Sequence, residues 1–240
     1  MRTYRSKEEM PHDYYAMLVD IMTRQFLREL ENSAIFGRAI QYAPSWRAKA
    51  ELAEISYEEA QHGIMTAPIL EGLGIDLKEI DNRWRLAEAF LGNVDEVQDW
   101  VEMIVYCSLI DRAGKTHVAV LAGNSYEPYA AIMDKIVEDE EGHESYGEEA
   151  IAEICQDPAQ RQRVGQLFRK WLPRCVKLLG KPRSAANRFC VEHGLKNRDS
   201  EEEIREYLDY CRQIAKNVGI PFPTAEELRA EGVILPRGWV

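Results

Sequence analysis

Two Glu-x-x-His steps constrain this chain more than any other feature. Glu140 and His143 close an apolar stripe made of Met133, Ile136 and Val137, and Glu59 and His62 close another made of Leu52 and Ile55. Residues three apart share one face of an α-helix. Each stripe therefore runs into two metal-ligand side chains, where a solvated charge would sit on the other face. Paired steps of this kind on two helices of a bundle are the arrangement that holds two iron or manganese ions. Glu9-Met10-Pro11-His12 has the same spacing, but Pro11 interrupts it and no apolar stripe leads into it. That occurrence reads as chance.

A binuclear bundle also needs one lone carboxylate from each of two further helices. Glu31, aligned with Leu27, Ala34 and Ile35, is the candidate in the first half, and Asp111, aligned with Ile104, Cys107 and Val118, in the second. The separations nearly match, 59 − 31 = 28 and 140 − 111 = 29, which makes the chain an internal repeat of two half-sites. Turns fall near Pro44 and around Gly123-Asn124-Ser125. Each lone carboxylate and each Glu-x-x-His then lies on the order of 20 Å from its turn, at 1.5 Å rise per residue. Antiparallel hairpins folded at those turns bring all four carboxylates to one depth.

Composition sets the bounds. A 240-residue chain with 45% hydrophobic residues suffices for one sizeable core. A net charge of −11 argues against a nucleic-acid partner, which requires a basic footprint. No apolar run reaches a membrane span and no signal peptide opens the chain. Five cysteines, odd in number and without a Cys-x-x-Cys, point to a reduced, cytoplasmic setting.

Periodicity predicts an all-α protein: an arm over 1–12, a four-helix bundle over 13–157, and a C-terminal helical extension over 158–240 packed on the same domain. The bundle helices are expected at about 13–42, 46–72, 95–122 and 127–155. Ser45 caps the second, Asn93-Val94-Asp95 opens the third, and a short amphipathic piece around Arg85 to Leu91 lies between them. In the extension, one helix carries Phe168, Trp171 and Leu172 and is kinked or ended by Pro173. Another spans 201–217, and Pro221, Pro223 and Pro236 punctuate an extended tail.

Glu31, Glu59, His62, Asp111, Glu140 and His143 form a ligand set suited to two first-row metals. Four carboxylates neutralise two divalent ions, so the site is cheap to bury, whereas without metal the carboxylates repel and their pKa values rise. Glu58 and Asp139 immediately precede the two motif glutamates. Each is placed to accept the free ring N–H of the opposing histidine, or else is an ordinary surface acid. Gly37 and Gly114, inside helices where glycine costs roughly 1 kcal/mol, would leave room for dioxygen or substrate, or allow tight helix packing. His117 and His193 have no comparable partners. Arg38, Arg47 and Lys49 form a basic cluster suited to a phosphate-bearing substrate or a solvated helix end.

The runs Ala43-Pro44-Ser45-Trp46-Arg47-Ala48-Lys49-Ala50 and Glu58-Glu59-Ala60-Gln61-His62-Gly63 resemble the catalytic subunit of phenylacetyl-CoA 1,2-epoxidase. So do Asp111-Arg112-Ala113-Gly114, Ser125-Tyr126-Glu127-Pro128-Tyr129-Ala130 and Glu140-Glu141-Gly142-His143. An aspartate on the third helix is usual in that subunit. Trp171-Leu172-Pro173-Arg174 and Gly194-Leu195-Lys196 extend the likeness over most of residues 15–222. The resemblance implies a ferritin-like bundle with two iron ions, manganese or a mixed pair being the alternatives. It further implies dioxygen as co-substrate and insertion of one oxygen atom into the ring of an aromatic acyl-CoA thioester. Electrons would come from NADPH through a separate reductase, and the partner would be a related structural subunit or a second copy. Compared with the usual catalytic subunit, this chain is shorter at the N-terminus and between the second and third helices, regions that bear on the acyl-CoA pocket and the partner interface.

The leading expectation is thus an O2-dependent di-iron monooxygenase of phenylacetate catabolism, acting on an acyl-CoA or another acyl compound. A ferritin-like ferroxidase or peroxide scavenger is the alternative. A metal-free scaffold protein is a third reading, against which the filled ligand set speaks.

Overall fold

The computed structural model describes residues 2–80 and 96–240, and α-helix dominates the described residues. Helix α1 spans His12–Ala39 and α2 spans Trp46–Gly72. They are separated by a 3-10 turn at Ile40–Tyr42 and by Pro44. Ser45 caps α2 by accepting from the Ala48 amide at 3.1 Å. The second hairpin joins α3, Trp100–Leu121, to α4, Glu127–Ile154. Residues 2–11 dock rather than float: Tyr4 is buried against Tyr14 and bridges to Tyr126.

The third helix starts later than its sequence suggests. Asp99, not the 93–95 stretch, caps it by accepting from the Glu102 amide at 3.1 Å. Residues 93–95 and the Arg85–Leu91 piece lie outside the described residues. Helix α5, Pro158–Leu178, continues unbroken past Pro173, which does not end it. The proline removes one backbone donor, but Trp171, Leu172, Cys175 and Val176 around it are all buried, and packing carries the helix on. Beyond it come α6 (Ala185–Glu192), α7 (Ser200–Val218) and α8 (Ala225–Ala230). The first and last of these lie in stretches whose periodicity predicts no helix. Both are short, and both are fixed by a side-chain cap, from Ser184 and Thr224.

Helix α1 packs on α2, α3 on α4, and the two hairpins close through α2 and α4. Helices α5 and α7 cover the outside of α3, which explains why every residue from Glu102 to Asp111 is buried. No helix of the described residues is long and apolar enough to cross a membrane.

The buried side chains fall into two apolar clusters. One holds Tyr14, Leu18, Met22, Phe26, Leu70, Met133 and Ile136; the other holds Ile35, Leu52, Ile55, Ile110, Ile151 and most of α5 and α7. Each bundle helix passes from one cluster to the other, and its acidic and imidazole side chains lie at the crossing. The polar centre is a waist between two oily halves.

Candidate metal centre

At this waist the structure brings Glu59, Asp111 and His143 together, with ligand atoms all within 4.8 Å of one another, and does the same for Glu29, Glu59 and His62. All five are buried. Glu59 belongs to both groups and sits between them. Glu140 is buried beside them: a methyl group on Gly114 would lie 2.8 Å from its Oε2, and its charge helps raise the pKa of Glu59.

On α1 it is Glu29, rather than the expected Glu31, that the structure groups with Glu59 and His62. Residues two apart on a helix are rotated by about 200°, so only one of the pair can face the centre. Glu29 Oε2 lies 3.3 Å from His62 Nδ1, and the Glu29 carboxylate also receives a hydrogen bond from Gln25. Glu31 is buried as well but belongs to neither group; its charge, with those of Glu59 and Asp111, adds to the burial that pushes the Tyr106 phenol well up. The signal that separates them is faint. The spacing 59 − 29 = 30 misses the 29 of the second half by one residue, as does 28.

The outer hydrogen bonds cross between hairpins. His143 Nε2, on α4, lies 2.7 Å from Glu58 Oε2 on α2, and His62 Nε2, on α2, lies 3.3 Å from Asp139 Oδ2 on α4. A carboxylate partner places the ring proton on Nε2 and turns Nδ1 inward in both rings. His143 Nδ1 and Glu59 Oε1 are then buried without a hydrogen-bond partner and face each other at 3.9 Å. Buried polar atoms are almost always satisfied, so this orphaned pair fits a cation. The Cys107 thiol donates to Asp111 Oδ2 at 3.0 Å. Tyr106 O–H donates to Asn32 Oδ1 at 2.8 Å, and the Asn32 amide reaches Glu59 Oε2 at 3.5 Å.

Electrostatics agree with the donor chemistry. Burial, then the charges of Glu29 and Glu140, hold the Glu59 carboxyl well above its usual range. Burial opposes charge on His62, yet Glu29 and Asp139 outweigh it and raise the imidazole. An acid and an imidazole that both hold their protons more tightly than usual are what a ligand set shows where protons stand in place of metal.

The two glycines part ways. Gly114 lines a cavity of about 30 Å³ with Glu29, Glu140, Ile110, Ala113 and His117, and its missing side chain makes room for the Glu140 carboxylate itself. Gly37 faces Ser56 on α2, where a methyl would come within 3.1 Å of Oγ. It serves helix packing, beside the Ser33–Ser56 hydrogen bonds. Arg38, Arg47 and Lys49 are exposed at the first turn, with Arg47 lying over Trp46. A second cationic group has no signature in the sequence. Arg24, Arg28, Lys177, Lys181 and Lys196 line a pocket of about 390 Å³ that shares Arg28, His117 and Leu178 with the inner cavity. They come from distant segments, so no local run of residues announces them.

The sequence profile of the phenylacetic acid catabolic proteins matches residues 1–233. The chain belongs to that family. Among its relatives is a 1,2-phenylacetyl-CoA epoxidase component from Escherichia coli (strain K12), 30% identical over 171 residues, which are 68% of this chain and 54% of the relative. The chain thus spans about half the length of that relative.

Proposed function

We propose that this family member is the oxygen-activating component of an acyl-CoA monooxygenase, with two iron ions held by Glu29, Glu59, His62, Asp111, Glu140 and His143. Convergence of that donor set around the orphaned Glu59 Oε1 and His143 Nδ1 carries the reading. When bound, such an iron pair supplies the electrons and Lewis acidity that dioxygen activation requires. Four carboxylates balance two divalent ions, so the loaded waist is neutral and at home between two apolar clusters.

The chain's own residues do the remaining work. Glu58 and Asp139 fix the tautomer and tilt of the two imidazoles. Cys107 orients Asp111. Ile110, Ala113 and Leu178 keep the inner cavity apolar on one side, and its ~30 Å³ accommodates little more than dioxygen or two waters. A larger substrate must therefore approach from the outer pocket, where Lys177 and Lys181 have no ion pair among the described residues and suit phosphate groups. The relative's name specifies a phenylacetyl-CoA epoxidase; an aromatic acyl-CoA thioester is the substrate class proposed here. An NADPH-dependent reductase supplies electrons, a related structural subunit or a second copy completes the assembly, and the setting is cytoplasmic.

Iron-loaded, reduced protein given phenylacetyl-CoA and labelled dioxygen tests the proposal. One labelled oxygen atom in the thioester product is expected. Iron oxidation that proceeds equally without any thioester would instead establish the ferroxidase reading.

A further inference from the structure

Helix α2 is apolar on two opposite faces. The inner face, with Leu52 and Ile55 beside Glu59 and His62, closes on α1 and α4. The outer face carries Trp46, Tyr57 and Ile64, which are 75%, 62% and 60% exposed and are three of the five large exposed hydrophobic side chains among the described residues. Ala50, Ala53, Ala60 and Ala67 complete the stripe, each exposed or half-buried. Positions 46, 50, 53, 57, 60, 64 and 67 advance by alternate steps of four and three. That is the seam of a coiled coil, which packs against a second helix of the same period. At about 1.5 Å per residue the stripe is on the order of 30 Å long, and a continuous apolar surface of this kind marks an interaction site.

Size and charge along the stripe select the partner. A two-fold axis midway between Tyr57 and Ala60 makes two copies of α2 antiparallel and sets Tyr57 of one level with Ala60 of the other. Four residues further out, Ile64 is level with Ala53, so each of these bulky side chains meets a small one. Ala67 is then level with Ala50, and Glu71 with Trp46, which brings Lys49 within one turn of Glu71. Both of those charges are exposed, one at each end of the stripe, so the pairing joins them twice. On the flank, Glu54 comes beside Gln61 rather than beside a second acid. Parallel copies in register would instead stack Tyr57 on Tyr57 and set Lys49 against Lys49.

We propose that the outer face of α2 binds the same face of a second copy of this chain, as an antiparallel seam centred between Tyr57 and Ala60. The inference rests on the reading above for there being an assembly, and commits that assembly to a second copy. The same helix holds Glu59 and His62 on its inner face, so the seam stands directly behind each waist.

Sedimentation equilibrium of the full chain, without metal or thioester, tests this. At tens of micromolar the expected mass is twice 27.6 kDa. Tyr57→Glu puts a charge at the centre of the seam in both copies and should weaken association at least about tenfold, with an unchanged far-UV circular dichroism spectrum. Lys49→Glu and Glu71→Lys should each weaken it several-fold by bringing like charges together, and the double variant, with the charges exchanged, should recover most of the loss. A wild-type monomer overturns the proposal, as does a dimer that survives Tyr57→Glu or a charge exchange without recovery. A chain that is monomeric alone but uses Tyr57 to bind a related structural subunit overturns the second copy as occupant. None of these results bears on the oxygenase chemistry, which iron content and labelled dioxygen test separately.

Discussion

Glu29 and Glu31 are both buried, yet only one of them faces the imidazole of His62. Glu29→Gln should therefore cost more metal affinity than the roughly 10- to 100-fold typical of losing an outer partner, while Glu31→Gln keeps the wild-type metal content. Elemental analysis after dialysis separates the two. Asp139→Asn and Glu58→Gln should each fall within that 10- to 100-fold range, because each leaves the ligands in place and loosens one ring. Gly114→Ala is a sharper case: its new methyl would lie 2.8 Å from one Glu140 oxygen and 2.9 Å from the other. Loss of metal with an unchanged far-UV circular dichroism spectrum is the expected result. The pairing of Glu58 and Asp139 with opposing histidines is only half legible in the sequence: adjacency to the motif glutamates suggests it, and the crossing of α2 and α4 decides it against a surface role. The choice between Glu29 and Glu31 is not, since spacings of 30 and 28 bracket 29 equally and both positions have apolar neighbours.

Helix α4 crosses α3 closely at Gly147. A methyl there would come within 2.8 Å of the Ser108 Cα, a backbone atom that cannot yield. Gly147→Ala should destabilise by about 1–3 kcal/mol through overpacking. Gly72→Ala, at the end of α2 with nothing within 4 Å of the added methyl, should be neutral or slightly stabilising. Thermal melts of the two variants provide the comparison; equal melting temperatures would contradict the close crossing. The bundle helices themselves are readable because their stripes lead without break into the motif, and the Trp46–Gly72 limits of α2 follow from Ser45 and the terminal glycines. What escapes such reading depends on tertiary contacts. The burial of Trp171 and Leu172 carries α5 past Pro173, and the Asp99 cap that starts α3 also pairs with Arg163 on α5, a partner 64 residues away.

Across the whole molecule, metal held at the waist between the two apolar halves would make metal binding and stability one equilibrium. In the metal-free chain the folded pKa values of Glu59 and His62 are both raised. Their protonated forms therefore stabilise the fold fully below the unfolded pKa values, and that contribution drains away as pH rises through the raised ones. Ions that displace those protons should stabilise more as pH rises through the same window. The melting-temperature gain on adding ferrous ion without oxygen is expected to be larger at about pH 7.5 than at about pH 5.5; an equal gain would refute the linkage. Helices α5 and α7 cover α3, with Leu178 lining the inner cavity and Glu203 bonded to His117. The most direct test of the waist as a binuclear centre is anaerobic ferrous titration followed by Mössbauer spectroscopy. Two ions per chain, magnetically coupled after oxidation and reduced in number in Glu29→Gln, are expected. A single uncoupled ion, or two ions that persist unchanged in Glu29→Gln, would contradict the assignment.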